Sequence, residues 1–199
     1  MPIQFPNAPE PAISAMARLV QPTLAGSEIA RARHSQYSLD GQPVILAAIA
    51  NYMMDARDLV EGKSQRQARP IGWRFLWKNS AGELLSSNVT LRADGKMSSV
   101  PSVNLAGPFV ASSAQLLKVL EKDESIRAVD FEARLLRFPS LGLFAYWLVA
   151  PSAADDLLIP ISPVPEGVLA SKRYRAEELF LILRPLASVI LNGDTQVKR

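Results

Sequence analysis

Residues 141–149 are apolar in both of their alternating sets, with Leu141, Leu143, Ala145, Trp147 and Val149 in one and Phe144, Tyr146 and Leu148 in the other. Successive side chains of a strand point to opposite faces of a sheet. A strand built from these residues therefore has to be covered on both sides, which calls for a layered fold with helices or further chain packed on it.

A second strand pattern begins at Ile71. Ile71, Trp73, Phe75 and Trp77 alternate with Gly72, Arg74, Leu76 and Lys78, which predicts a half-buried strand with an aromatic inner face and Arg74 and Lys78 on the other. Residues 79–82 make a turn and 84–92 read as the returning strand. Asp94-Gly95 follows as a two-residue hairpin turn, because a tight turn needs positive φ that Gly and Asp tolerate. With that turn Val89 lies opposite Val100, and Pro101, which has no N–H for a ladder, places the third strand at an edge or bulge. Further on, Val129, Phe131, Ala133 and Leu135 alternate with Asp130, Glu132 and Arg134 as a strand with one wet face, and 157–161 read as a short strand closed by Pro160 and Pro163.

Helical spacing marks other segments. Ile45, Ala48, Ile49, Tyr52, Met53, Ala56, Leu59 and Val60 recur at three- and four-residue steps, predicting an amphipathic helix that opens at Pro43 and ends at Gly62. Ser112 and Gln115 have the spacing of a capping box for a helix over 114–122. Leu179, Ile182, Leu183, Leu186 and Ile190 form the stripe of a last helix, with Glu177 and Glu178 in its first turn and Pro185 as a kink. Residues 1–11, with four prolines, read as an extended arm, 12–20 as a short helix, and 192–199 as a frayed tail. The expected class is α+β: a mainly antiparallel sheet of about six strands with helices packed on it, as a single domain of 199 residues.

Composition narrows the chemistry. There is no cysteine, hence no disulfide, thiolate metal site or thiol nucleophile. One histidine, His34, is all that a Ser-His-Asp arrangement or a His-based zinc centre could use, and no G-x-S-x-G elbow accompanies it. Gly62-Lys63-Ser64 looks like the end of a phosphate loop, but Arg57 stands where that motif needs its first Gly. Asp55 with Asp58, and Asp155 with Asp156, are the carboxylate pairs to weigh for acid/base work, and both read as solvated charge. Asn88-Val89-Thr90 matches a glycosylation acceptor by chance. No cofactor and no metal ligand set is expected. The N-terminus lacks the basic start and apolar run of a signal peptide, and no window approaches the roughly 18 residues that span a bilayer, so a cytoplasmic protein without membrane contact is expected.

Three functions remain open. The first is a non-enzymatic binding or assembly module with a protein partner, most simply a second copy meeting the face of Phe144, Tyr146 and Leu148. The second is a small ligand-binding or hydrolase-like domain whose pocket is lined by Trp73, Trp77, Tyr146 and Trp147 with carboxylates as acid/base groups. The third is a weak nucleic-acid binder using the basic run around Lys63, Arg66 and Arg69, although with a net charge of +3 such binding is the least expected.

Overall fold

The structure, a computed structural model, describes residues 3–20, 44–78, 82–98, 102–104 and 108–197. Its strands are β1 (Val44–Met53), β2 (Arg69–Lys78), β3 (Leu84–Thr90), β4 (Ser102–Asn104), β5 (Glu132–Phe138), β6 (Leu143–Val149), β7 (Leu157–Ile161) and β8 (Tyr174–Arg175). Its α-helices are α1 (Glu10–Val20), α2 (Ala56–Val60), α3 (Pro108–Lys122), α4 (Glu124–Arg127) and α5 (Ala176–Val197). The eight strands form one sheet in the order β4-β3-β2-β1-β5-β6-β7-β8. Every neighbouring pair is antiparallel except β1 with β5. The fold is thus α+β with a mainly antiparallel sheet.

The two strands beyond the expected six are β1 and β8. β1 occupies half of the segment read as a helix from Pro43 to Gly62. It runs between β2 and β5, and Ala47, Ile49, Ala50 and Asn51 are buried. A strand covered on both faces shows a nearly continuous apolar run, and such a run contains three- and four-residue steps by accident. Only the end of the segment is helical, where Asp55 starts α2: its carboxylate accepts from Asp58 N–H at 3.1 Å, and the Asp58 carboxylate accepts from Asp55 N–H at 2.9 Å.

Helices and chain cover both faces of the sheet. On one face Val110, Leu116, Leu117 and Leu120 of α3 and Ile126 of α4 pack on Ile49, Leu76, Leu135, Tyr146 and Leu148. Ile3 of the N-terminal arm joins them, and the arm pairs with the sheet as well: Gln4 N–H donates to Phe131 C=O at 2.9 Å, and Ala133 N–H donates to Gln4 C=O at 2.8 Å. On the opposite face α2 and α5 bury Leu136, Phe138, Leu143 and Trp147, while Ala12, Ala15 and Met16 of α1 bury Phe75, Trp77, Leu85 and Val89. Each fully buried aromatic contributes on the order of 2 kcal/mol from the apolar area removed from water. The double-sided burial expected for 141–149 is what β6 shows. No helix among the described residues is long and apolar enough to cross a membrane.

Other boundaries move for local reasons. α3 begins at Pro108, a residue suited to a first helical turn, so Ser112 and Gln115 lie inside the helix and form no cap. The strand expected over 129–135 starts at Glu132, after a turn in which Phe131 N–H donates to Val129 C=O. α5 is helical through Pro185 and on to Val197, beyond the expected start of a frayed tail at Asn192. His34, the Asp40-Gly41 pair that reads as a turn signal ahead of Pro43, Val100 and Pro101 lie outside the described residues, and with them the expected pairing of Val89 with Val100.

Two glycines carry steric weight. At the β3 hairpin Leu91 pairs with Met97, Gly95 N–H donates to Arg92 C=O at 3.0 Å, and Arg92 N–H donates to Lys96 C=O at 2.8 Å. The loop is therefore three residues, 93–95, rather than the two expected, and Gly95 takes the left-handed position with φ +75° in open space. Gly72 sits where the β1–β2 register slips, with φ +135°, and a Cβ there would lie 2.0 Å from Val89 C=O. Gly95→Ala is expected to cost about 1 kcal/mol from backbone strain alone. Gly72→Ala adds a backbone clash and is expected to cost at least about 3 kcal/mol. Urea denaturation of the two variants checks the order, and equal midpoints would remove the close approach of β2 to β3.

Candidate functional site

The aromatics expected to line one pocket do not meet. Trp73 and Trp77 lie in the cluster under α1, Tyr146 under α3, and Trp147 under α2 and α5. Adjacent strand residues such as Tyr146 and Trp147 face opposite sides of a sheet and cannot line a common cavity. Their polar atoms are also engaged: Trp77 Nε1 donates to Ser87 Oγ at 2.9 Å, and Tyr146 Oη lies 2.5 Å from Ser113 Oγ. The face of Phe144, Tyr146 and Leu148 needs no second copy to cover it, because α3 does so. Tyr146 and Leu148 are buried, and Phe144 stacks on Phe109 with ring centroids 4.6 Å apart.

The basic run is likewise dispersed. Lys63 pairs with Asp58 at 2.6 Å and Glu61 at 3.2 Å, Arg69 is exposed beside Met53 Sδ, and Arg66 pairs with Asp156 at 2.7 Å. Asp156, read as solvated, is buried and accepts five hydrogen bonds: from Gln65 Nε2, Arg66 Nε and Nη2, Trp147 Nε1 and Ala150 N–H. Burial alone would raise its pKa, but the bonds from Arg66, Gln65, Trp147 and Ala150 outweigh that effect and hold the carboxyl below its ordinary 3.8. With every lone pair engaged, this carboxylate ties the 65–67 turn to β6 and has no capacity left for acid/base work. Asp55 and Asp58 are similarly committed to capping α2.

The opposite case stands on the α3 face of the sheet. Arg74 of β2 is 5% exposed and Arg137 of β5 is half-buried, and neither forms an ion pair among the described residues. The Arg74 guanidinium lies 4.7 Å from the centre of the Phe109 ring and 5.2 Å from that of Phe144, and the Arg137 guanidinium lies 4.9 Å from the same Phe144 ring. Arg74 Nε donates to Asn88 Oδ1 at 2.8 Å, whereas Arg74 Nη1 and Arg137 Nε are buried with no partner. Asn51, 3% exposed on the same face of β1, has an unpartnered Oδ1. Burial, then the positive charge of Arg137, push the Arg74 pKa down to about 10, and burial lowers that of Arg137. Both remain charged at neutral pH.

These two cations are out of balance with their surroundings. Stacking on a desolvated ring is worth about 2 kcal/mol. Removing a guanidinium from water without a counter-charge costs several kcal/mol after relaxation, and like charges add to it. The rings offset only part of that cost. By contrast, a groove of about 430 Å³ between α4 and β7 is electrically closed: Arg173 on its rim pairs with Asp123, and Arg175 pairs with Asp155 at 2.9 Å. Among the described residues no three of His, Cys, Asp and Glu are grouped to hold a metal ion.

Reading β2 as half-buried missed this site, since Arg74 was placed on a wet face. The available signal was Leu76 on that same face between Arg74 and Lys78, an apolar residue where a solvated face would carry a polar one. For the Asp156 cluster, Asp156→Asn is expected to destabilise the protein by about 2 kcal/mol at neutral pH, because the buried side chain loses its charge-assisted bonds and turns an amide NH2 toward donors that a carboxylate oxygen accepted from. The folded pKa lies below the unfolded one, so this contribution is complete above 3.8 and is lost as pH falls through the lowered value. Urea midpoints of wild type and variant should therefore converge in acid, and a gap that is independent of pH would refute the assignment. No protein-family model matches the chain, and the comparisons with curated proteins and with solved structures gave no match.

Proposed function

We propose that this protein is a non-enzymatic binding module whose ligand or partner presents an anionic group to Arg74 and Arg137. The observation that carries the reading is the placement of one buried and one half-buried guanidinium against one phenylalanine ring, with no carboxylate paired to them among the described residues. Fold stability does not call for such a pair, since apolar side chains of similar volume would fill the space at lower cost. Binding does, because desolvated cations held by rings and strands lose little entropy or hydration when an anion arrives.

The groups around the pair suit recognition more than chemistry. Arg74 and Arg137 are donors only, and Asn51 and Asn88 are amides. Tyr146, which burial pushes above the ordinary phenol range, stays neutral and bonded to Ser113. None of these is a base near neutrality. The hydrolase-like reading loses its support with the dispersal of its aromatic pocket, and the nucleic-acid reading with the pairing of Lys63 and Arg66. Self-association through β6 is not proposed, since that face is covered.

If Arg74 is kept for a ligand, the free protein gains little from it. Arg74→Met is then expected to leave the urea midpoint in buffer free of multivalent anions unchanged or raised by up to about 2 kcal/mol of stability. A loss of more than about 2 kcal/mol would make the arginine a folding residue and sink the binding reading.

A further inference from the structure

We infer that the group bound by Arg74 and Arg137 is a doubly charged tetrahedral oxyanion, a phosphate or sulfate group, received at the head of α3; this rests on the anion-binding reading above. Charge balance is the first argument. A single carboxylate would leave one of the two guanidiniums uncompensated in a site of low dielectric, whereas a dianion neutralises both.

Direction is the second. A planar carboxylate matches one guanidinium edge in bidentate fashion. Here the donors come from two strands that are not neighbours, β2 and β5, and flank one ring. Arg74 has its Nε engaged by Asn88 and offers Nη1, while Arg137 offers Nε. Oxygens pointing in several directions, as on a tetrahedral centre, can accept from both.

The third argument is the helix. Phe109, whose ring the Arg74 guanidinium overlies, belongs to the first turn of the 15-residue α3. The N–H groups of Phe109 and Val110 have no acceptor within the helix, and the positive end of the helix dipole adds to the two guanidiniums. Three sources of positive potential that repel one another without a ligand are all satisfied by one dianion. Arg74 is enclosed and Arg137 half-buried, so Arg137 is the more accessible of the two.

The test is isothermal titration of the full chain with inorganic phosphate, sulfate, phenyl phosphate and acetate at matched ionic strength. Saturable binding of phosphate and sulfate is expected, with acetate at least about tenfold weaker. Arg74→Met and Arg137→Met should each weaken phosphate binding at least about tenfold, and Arg175→Met, at a paired surface arginine, should not change it.

A second readout needs no variant. From about pH 8 to about pH 6 phosphate passes from dianion to monoanion and should bind about tenfold more weakly, while sulfate stays constant. Among the described residues the groups facing the site leave the ligand as the titrating partner, because Arg74 and Arg137 stay charged and Tyr146 stays neutral throughout. Phenyl phosphate binding at least as well as phosphate identifies an esterified group as the natural form, and its exclusion identifies the free ion. Acetate binding as tightly as phosphate, or phosphate affinity that ignores pH, overturns the dianion and leaves the anion reading intact. No binding of any anion overturns both.

Discussion

Both faces of β5 and β6 have to be kept from water, and the placement of most other elements follows from that need. Leu135, Tyr146 and Leu148 lie on one side, and Leu136, Leu143 and Trp147 on the other, all of them buried. α3 and the N-terminal arm lie across the first set, and α2 and α5 across the second. Once these covers are in place, anything polar on the same strands is sealed in with them. Asp156 next to β7 and Arg74 in β2 are consequences of that sealing, and the sheet treats them differently.

The two charges differ in the partners that the fold supplies. Asp156 is enclosed by donors that were folded around it, so its full set of hydrogen bonds exists in the free protein. Removing either partner of such a network strands the other, and this makes it part of the fold. Arg74 is nearly as enclosed, yet its neighbours are two rings, one amide and a second arginine. No carboxylate among the described residues balances it. An unbalanced charge in a packed interior raises the free energy of the empty state, and the same deficit becomes affinity when a counter-ion enters.

Much of this architecture was legible from residue patterns. Period-two alternation located β2, β3, β6 and β7 because each has a short, well-bounded run with turn residues beside it, and the stripe of α5 was equally plain. β1 was not legible, since a strand between two others has no wet face to break its apolar run, and its alanines pack in either secondary structure. The sites were less legible still. The partners of Asp156 lie up to 91 residues away in sequence, and no local spacing announces Gln65 or Arg66 as its donors. Arg74 and Arg137 are drawn together over Phe144 only by the crossover that places β5 beside β1.

That misread segment also governs how assembly should be weighed. With 43–62 read as a helix, a second copy is the simplest cover for the face of Phe144, Tyr146 and Leu148. As a strand the segment extends the sheet, and α1 covers Phe75 and Trp77 while α3 covers Tyr146 and Leu148. On α5 the apolar residues left facing water are Leu181 and Val189, at 65% and 70% exposure, with Pro185 between them. One row of three side chains on one helix falls well short of the roughly 800 Å² per partner that a stable interface buries. On this face of α5 apolar area therefore gives no strong drive toward another molecule, and the recognition proposed for Arg74 and Arg137 rests on charge. A charge deficit of that kind selects a ligand by its charge and shape, where an apolar face would select by area.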